Sequence, residues 1–338
     1  MKDILPDLTR WLDNGERIAL ATVIQTWGSS PRGVGAKMGM TASGRMTGSV
    51  SGGCVEAAVL EAGLDTLETG KPRLLHFGVA DETAWAVGLA CGGMIDVFVQ
   101  PLDGEVFAAT RAALEADTAA AIVTVIAGGD EVLGKSLLYA NDDLSGSLPL
   151  ALIEPARQAA QIALARGSPG AATLPGAEGF VEVILPAPEL IIIGGVHISV
   201  ALAALAKIMG YRSVIVDPRR AFGSPERFAH ADRLVQAWPD EALRGLEVTE
   251  RTAIAVLTHD PKLDDPALLA ALRSRAFYVG ALGSRTTQAR RRARLLEAGL
   301  TEAQLARLHA PIGLDIGAQT PEEVALAIMG EIVGVRRG

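Results

Sequence analysis

The sequence predicts an α/β protein: an N-terminal mixed α/β domain over residues 1–185, followed by a C-terminal Rossmann-like doubly wound parallel sheet over residues 186–338. Three observations carry that expectation. From Leu190 onward, short runs of β-formers alternate strictly with helical stretches, the order that builds a parallel sheet. Glycine-rich turns stand between strand and helix, where open α/β sheets bind ligands. At roughly 150 residues per domain, the 338 residues suffice for about two hydrophobic cores.

In the first half, Arg17 to Trp27 is rich in Ala, Val, Ile and Thr and reads as a strand. Gly52 and Gly53 precede an Ala/Leu/Glu helix from Cys54 to Leu67, and Met94 to Val99 is a strand stopped by Pro101. A helix at Phe107 to Ala116, strands at Ala121 to Ala127 and Lys135 to Tyr139, a helix at Pro155 to Arg166 and a strand at Phe180 to Leu185 follow. The glycines and prolines of Gly167 to Gly179 read as a loop, and the two prolines of Pro186 to Glu189 as the domain boundary. Beyond it, strands at Leu190 to Ile193, Ser213 to Asp217, Ala253 to Leu257 and Phe277 to Ala281 are each followed by a helix. After a last strand or turn comes a helix from Pro321, with Thr320 as its cap and Glu323 three residues on. No repeat is legible at periods of 20 to 50 residues.

Composition removes several function classes. Apolar residues make up 49% and charged residues 21%, the balance of an ordinary globular chain rather than a disordered one. Lys and Arg number 31 against 39 Asp and Glu, a net charge of -8, so no basic field gathers nucleic acid. Two cysteines, Cys54 and Cys91, build neither a disulfide framework nor a four-cysteine zinc or iron–sulfur site. Met1 to Leu12 lacks the apolar run of a secretory signal. Leu190 to Ala206 carries no charge, yet Gly194-Gly195 splits it into a buried strand, a turn and a helix rather than a membrane span. A reducing cytoplasm is the expected compartment, with no membrane partner.

Two N-terminal loops stand out, Gly28-Ser29-Ser30-Pro31-Arg32-Gly33-Val34-Gly35-Ala36 and Gly48-Ser49-Val50-Ser51-Gly52-Gly53-Cys54-Val55-Glu56. Glycines admit backbone N–H groups to a ligand, serine hydroxyls add donors, and Arg32 supplies a bidentate clamp, so the pair reads as an oxyanion or phosphate cradle; plain turns between strands are the other reading. Cys54 before a helix should have a lowered pKa, which favours metal ligation or sulfur chemistry, while an inert core thiol is the alternative. Cys91 lies beside Gly92-Gly93, which leaves room for a ligand, with the same inert-core alternative.

In the second half, Gly194-Gly195-Val196-His197 occupies the dinucleotide-fingerprint turn, and Asp217 ends the next strand at the spacing of a ribose-binding acid. Val196 replaces the glycine that lets backbone meet pyrophosphate, so NAD(P) is expected to bind weakly or not at all. Gly280-Ala281-Leu282-Gly283-Ser284-Arg285 is a further anion-site candidate at the end of a strand, with a plain strand-to-helix turn as the other reading. His259, Asp260, Asp264 and Asp265 match no metal spacing and read as capping and loop residues. The run Arg290, Arg291, Arg292 and Arg294 reads as a solvated or subunit-facing helix surface.

Taken together, Gly28 to Arg32, Gly48 to Glu56, Cys91-Gly92-Gly93, the turn at His197, Thr258 to Pro261, Gly280 to Arg285 and Ala310 to Gly317 resemble the XdhC/CoxI family, the xanthine dehydrogenase accessory proteins. The resemblance spans most of residues 17–333 and thins between 105 and 185. It implies a two-domain accessory chaperone, rather than a catalyst, that binds molybdenum cofactor, supports its sulfuration and delivers it to an apo molybdenum hydroxylase such as xanthine dehydrogenase. A homodimer and contact with a cysteine desulfurase are also implied. On that basis Ser29, Ser30, Arg32, Gly52, Gly53, Cys54, Cys91, Gly194, His197, Asp217, Gly283, Ser284 and Arg285 are the expected cofactor-binding residues, with Cys54 as a molybdenum ligand. The rival classes are an NAD(P)-dependent oxidoreductase using the C-terminal domain and an interaction scaffold.

Overall fold

Small and β-branched residues of β1 (Ile18–Trp27) pair antiparallel with β2 (Lys37–Thr41) on one side and β5 (Met94–Pro101) on the other. The computed structural model describes residues 1–53, 55–78, 93–220, 222 and 224–338, in two units, Met1–Pro186 and Ala187–Gly338. In the first unit α1 (Leu5–Asp13) precedes β1; β3 (Met46–Gly48), α2 (Glu56–Thr69) and β4 (Arg73–Phe77) lie between β2 and β5. The sheet order is β3-β2-β1-β5-β4. Then α3 (Gly104–Glu115), β6 (Ala120–Ala127), β7 (Ser136–Ala140), β8 (Asp143–Gly146), α4 (Leu150–Arg166), β9 (Gly170–Leu174) and β10 (Ala177–Ile184) form a second sheet in the order β8-β7-β6-β10-β9.

These are two copies of one αβββαββ module, and the match extends to single hydrogen bonds. Val23 donates to the Ala36 carbonyl and accepts from Gly35; Val125 donates to the Lys135 carbonyl and accepts from Gly134. Gly48 and Gly146 both take positive φ, 79° and 140°, and a β-carbon on either would strike the carbonyl oxygen of the opposite strand, Lys37 or Ser136. The repeat is longer than any solenoid period and lives in backbone pairing, so no side-chain periodicity announces it.

Residues from both sheets meet around a cavity of about 40 Å³ lined by Phe98 and Phe180, Thr22 and Thr124, Gln100 and Glu182. These are equivalent positions of the two copies, since Thr22 opposes Phe98 and Thr124 opposes Phe180. Lys37 Nζ bridges the copies, 2.7 Å from Glu182 Oε2 and 2.8 Å from Thr22 Oγ1. A cofactor-sized ligand needs roughly 300 Å³ or more, so this space holds water at most.

Four expectations change, and the one in the second unit is that among the described residues the strand expected at Ser213 to Asp217 leads to a further strand at Arg233–Val235 with no helix between them. Gly167 to Gly179 is not a loop: β9 pairs with β10 through a hairpin at Pro175-Gly176, its small residues serving an edge strand. Helix α4 begins at Leu150 and carries Pro155 inside rather than starting there, and α2 begins at Glu56, two residues after Cys54.

The second unit is a parallel sheet in the order β13-β12-β11-β14-β15-β16. It runs β11 (Glu189–Ile193), α5 (His197–Ile208), β12 (Arg212–Val216), β13 (Arg233–Val235), α6 (Pro239–Gly245), β14 (Thr252–Val256), α7 (Pro261–Arg273), β15 (Tyr278–Ala281), α8 (Arg285–Glu297), α9 (Glu302–Leu305), β16 (Leu308–His309) and α10 (Pro321–Arg337). Ile191, Ile193, Val214, Val216, Ile254 and Val256 pack one face against Leu268, Leu272 and Leu295. Leu190, Ile192, Ile215 and Ala255 pack the other against Leu202, Ala206, Ile328 and Ile332. Helices thus cover both faces, which is why these strands are apolar throughout. Strand order reverses at β11/β14, the switch point where such sheets take ligands. Thr320 and Glu323 form the expected capping box, and among the described residues no helix is long and apolar enough to cross a membrane.

Candidate functional site

The two glycine-rich loops of the first module meet at the end of β1. Pro31 lies against Gly52, where a β-carbon on Gly52 would stand 3.7 Å from it. Gly28 lies against Gly93, and a β-carbon on Gly93 would collide with the Ser29 carbonyl oxygen. Trp27 and Met94, paired in register, are both exposed at this rim. Ser30 Oγ donates to the Arg32 carbonyl at 2.6 Å. Arg32 Nε reaches the Ser49 carbonyl at 3.3 Å, and its Nη2 lies 3.4 Å from Asp3, long contacts for a side chain 40% exposed. Cys54 and Cys91 lie outside the described residues.

Glu56 already answers the amides expected to cradle an external anion. Its Oε1 accepts from the amides of Val50 (3.2 Å), Ser51 (2.9 Å) and Gly52 (3.1 Å) and from Ser49 Oγ (2.6 Å). Its Oε2 accepts from the amides of Gly53 (2.8 Å) and Val55 (3.2 Å) and from Ser51 Oγ (2.6 Å). Burial pushes this carboxyl up, but the bonds from Ser49, Ser51 and the loop outweigh it and bring the pKa from 4.5 to about 2. Gly52 and Gly53 are therefore loop-shaping donors, not open ones. The residue missed from the sequence is Glu56, whose signal is an acid opening a helix three residues after Ser-x-Ser-Gly-Gly.

The second module lacks this apparatus. Three residues, 147–149, join β8 to α4 where seven, 49–55, join β3 to α2, and Pro175-Gly176 joins β9 to β10 where residues 78–93 join β4 to β5. Its turn is held instead from α3, with Ser147 Oγ donating to Asp103 and the Gly146 amide to Glu105. Both cysteines fall in the two connections that only the first copy has lengthened.

At the switch point of the second unit, Asp217 is buried and saturated. It accepts from the Gly195 amide (2.8 Å), the Arg219 amide (2.9 Å), Arg219 Nε (2.9 Å) and Arg219 Nη2 (2.7 Å). These bonds outweigh burial and hold its carboxyl below the usual range. His197 opens α5 and is exposed; Gly194 packs on Thr258. Ser284 caps α8 by accepting from the Thr287 amide, leaving Arg285 exposed beside it. Asp260 caps α7, and among the described residues no acidic, His or Cys cluster is arranged for a metal. The arginine run is not uniformly a surface: Arg291 is 2% exposed and pairs with buried Asp264 at 2.7 Å, while Arg294 pairs with Asp265.

Known proteins extend this picture. The XdhC and CoxI family matches residues 11–78 and the XdhC Rossmann domain residues 190–332, together more than half of the chain. The chain belongs to the XdhC and CoxI family. Among XdhC relatives, a protein from Bacillus subtilis described as a probable xanthine dehydrogenase subunit is 28% identical over 331 residues, covering 96% of this chain and 95% of that protein. The molybdenum cofactor insertion chaperone PaoD of Escherichia coli is 28% identical over 326 residues, 96% of this chain and 85% of that protein. A crystal structure described as a xanthine dehydrogenase from Bacillus halodurans superimposes with a TM-score of 0.76 over 98% of this chain and 95% of that one. At 23% identity it supports the XdhC fold alone.

Proposed function

We propose that this chain binds molybdenum cofactor on the first module, supports its sulfuration and hands it to an apo molybdenum hydroxylase of the xanthine dehydrogenase class. The observation that carries this reading is the convergence of loop 28–33, loop 49–55 and Gly93 at one end of β1, on the copy whose connections hold Cys54 and Cys91. Family membership and a relative named as a cofactor insertion chaperone support it.

Molybdopterin presents a phosphate, a flat pterin and a dithiolene-bound metal. With the amides of Val50, Ser51, Gly52, Gly53 and Val55 committed to Glu56, the phosphate falls to Arg32, which keeps donor capacity toward solvent. Exposed Trp27 offers a surface for the pterin, and Cys54 the thiolate for molybdenum. A cysteine desulfurase would supply the sulfur, and the chain would work in the cytoplasm as a homodimer. The rival NAD(P)-dependent oxidoreductase needs Asp217 free for a ribose, whereas all its bonds are internal. The test is activation of an apo hydroxylase with cofactor supplied: activation that depends on this chain supports the proposal, and equal activation without it refutes delivery.

A further inference from the structure

The switch-point crevice of the second unit is occupied by the chain's own residues. In a Rossmann sheet the acid ending the second strand takes a ribose hydroxyl, the glycine turn meets the pyrophosphate, and the base packs beside the acid. Here Arg219 closes a bidentate pair on Asp217, whose side chain is fully buried. The Arg219 guanidinium then stacks on the Phe222 ring, 3.9 Å from its centroid, a flat surface packed beside the acid. The Phe222 carbonyl covers the glycine turn so closely that a β-carbon on Gly195 would collide with it. Arg227 Nη1 holds that same carbonyl at 3.1 Å.

We propose that Arg219 and Phe222 form a built-in plug of a ribonucleoside-diphosphate site, which such ligands enter only when Arg219 leaves Asp217. Asp260, the N-cap of α7, adds its charge to the larger effect of Asp217 in strengthening the hold of Arg219 on its proton. The plug is thus held by Asp217 and the Phe222 ring, with the charge of Asp260 added. It also changes the expectation drawn from Val196 alone, because removing that β-carbon leaves Asp217 saturated and Gly195 covered.

The experiment is calorimetric titration of the full chain with ADP-ribose, with thermal unfolding as the fold control. Wild type and Val196→Gly are expected to bind weakly and alike, whereas Arg219→Ala and Phe222→Ala bind at least tenfold more tightly. Arg219→Lys, which keeps the charge but loses the bidentate geometry, falls between and serves if the alanine variant unfolds. Wild-type binding as tight as that of the plug variants, or folded plug variants that gain nothing, overturns the proposal. The outcome is independent of where molybdenum cofactor binds.

Discussion

Ser49 and Ser147 occupy the same place in two copies of one module: the amide of each donates, at 2.9 Å, to the carbonyl of the residue opening its copy's second strand, Lys37 or Ser136. From that shared point the chains diverge. After Ser49 the backbone loops through Gly52 and Gly53 around Glu56; after Ser147 it turns directly into α4 at Pro149. On the proposed reading one copy supplies the site and the other a scaffold, which narrows the chemistry to what the first copy has added.

Arg32 is expected to carry the charge contact to the cofactor phosphate. A hydrogen bond to a charged group contributes about 1.5–3 kcal/mol when protected, and solvent at this half-exposed side chain places the effect at the low end. Arg32→Ala should therefore weaken cofactor retention roughly tenfold, and Arg32→Lys less, by equilibrium binding of purified cofactor.

Glu56 gives the loop a pH signature. Its folded pKa of about 2 lies below the ordinary 4.5, so its contribution is fully present above about 4.5 and is lost as pH falls through about 2. Glu56→Gln should lower the urea midpoint at pH 7, and the gap from wild type should narrow between pH 4.5 and 3. A constant gap over that range would show that the charge does not hold the loop.

The pair Lys37–Glu182 joins the copies out of water, with side chains 4% and 13% exposed. Lys37→Met strands a buried carboxylate and should cost about 3 kcal/mol, whereas Lys37→Met with Glu182→Leu should recover most of that. A double-mutant cycle by denaturant unfolding reads the difference.

Cys54 and Cys91 are expected to differ. Cys54→Ser should keep the fold and lower cofactor retention or client activation, with Cys91→Ser milder. Alkylation rate against pH checks the premise, which requires Cys54 to titrate below the roughly 8.5 of a free thiol.

Much of the second unit was legible because its strands bury both faces: Leu190 to Ile193 and Ala253 to Leu257 are apolar runs bounded by glycine or polar turns. The first unit was harder. Gly170-Ala171-Ala172-Thr173 has no strand signature and pairs only because β10 lies beside it. The duplication escaped because it is written in backbone hydrogen bonds at Val23 and Val125, which many sequences satisfy. The glycine-rich loops were legible as donors, but not that Glu56 accepts from them, and Asp217 was legible as an acceptor, but not that Arg219 fills it. In both places an internal partner fills the position that sequence spacing assigns to a ligand. Arg291 shows the same limit, since only the fold brings Asp264 to it.

If the cofactor site is what the first copy has and the second lacks, exchanging the connection between β3 and α2 should abolish it. The decisive quantity is the molybdenum and pterin content of the full chain purified from cells making the cofactor, compared with a variant in which residues 49–55 are replaced by the Ser147-Leu148-Pro149 connection. Near-stoichiometric cofactor is expected on the wild type and almost none on a variant that still folds. A folded variant that retains its cofactor would place the site elsewhere and overturn the division between the two copies.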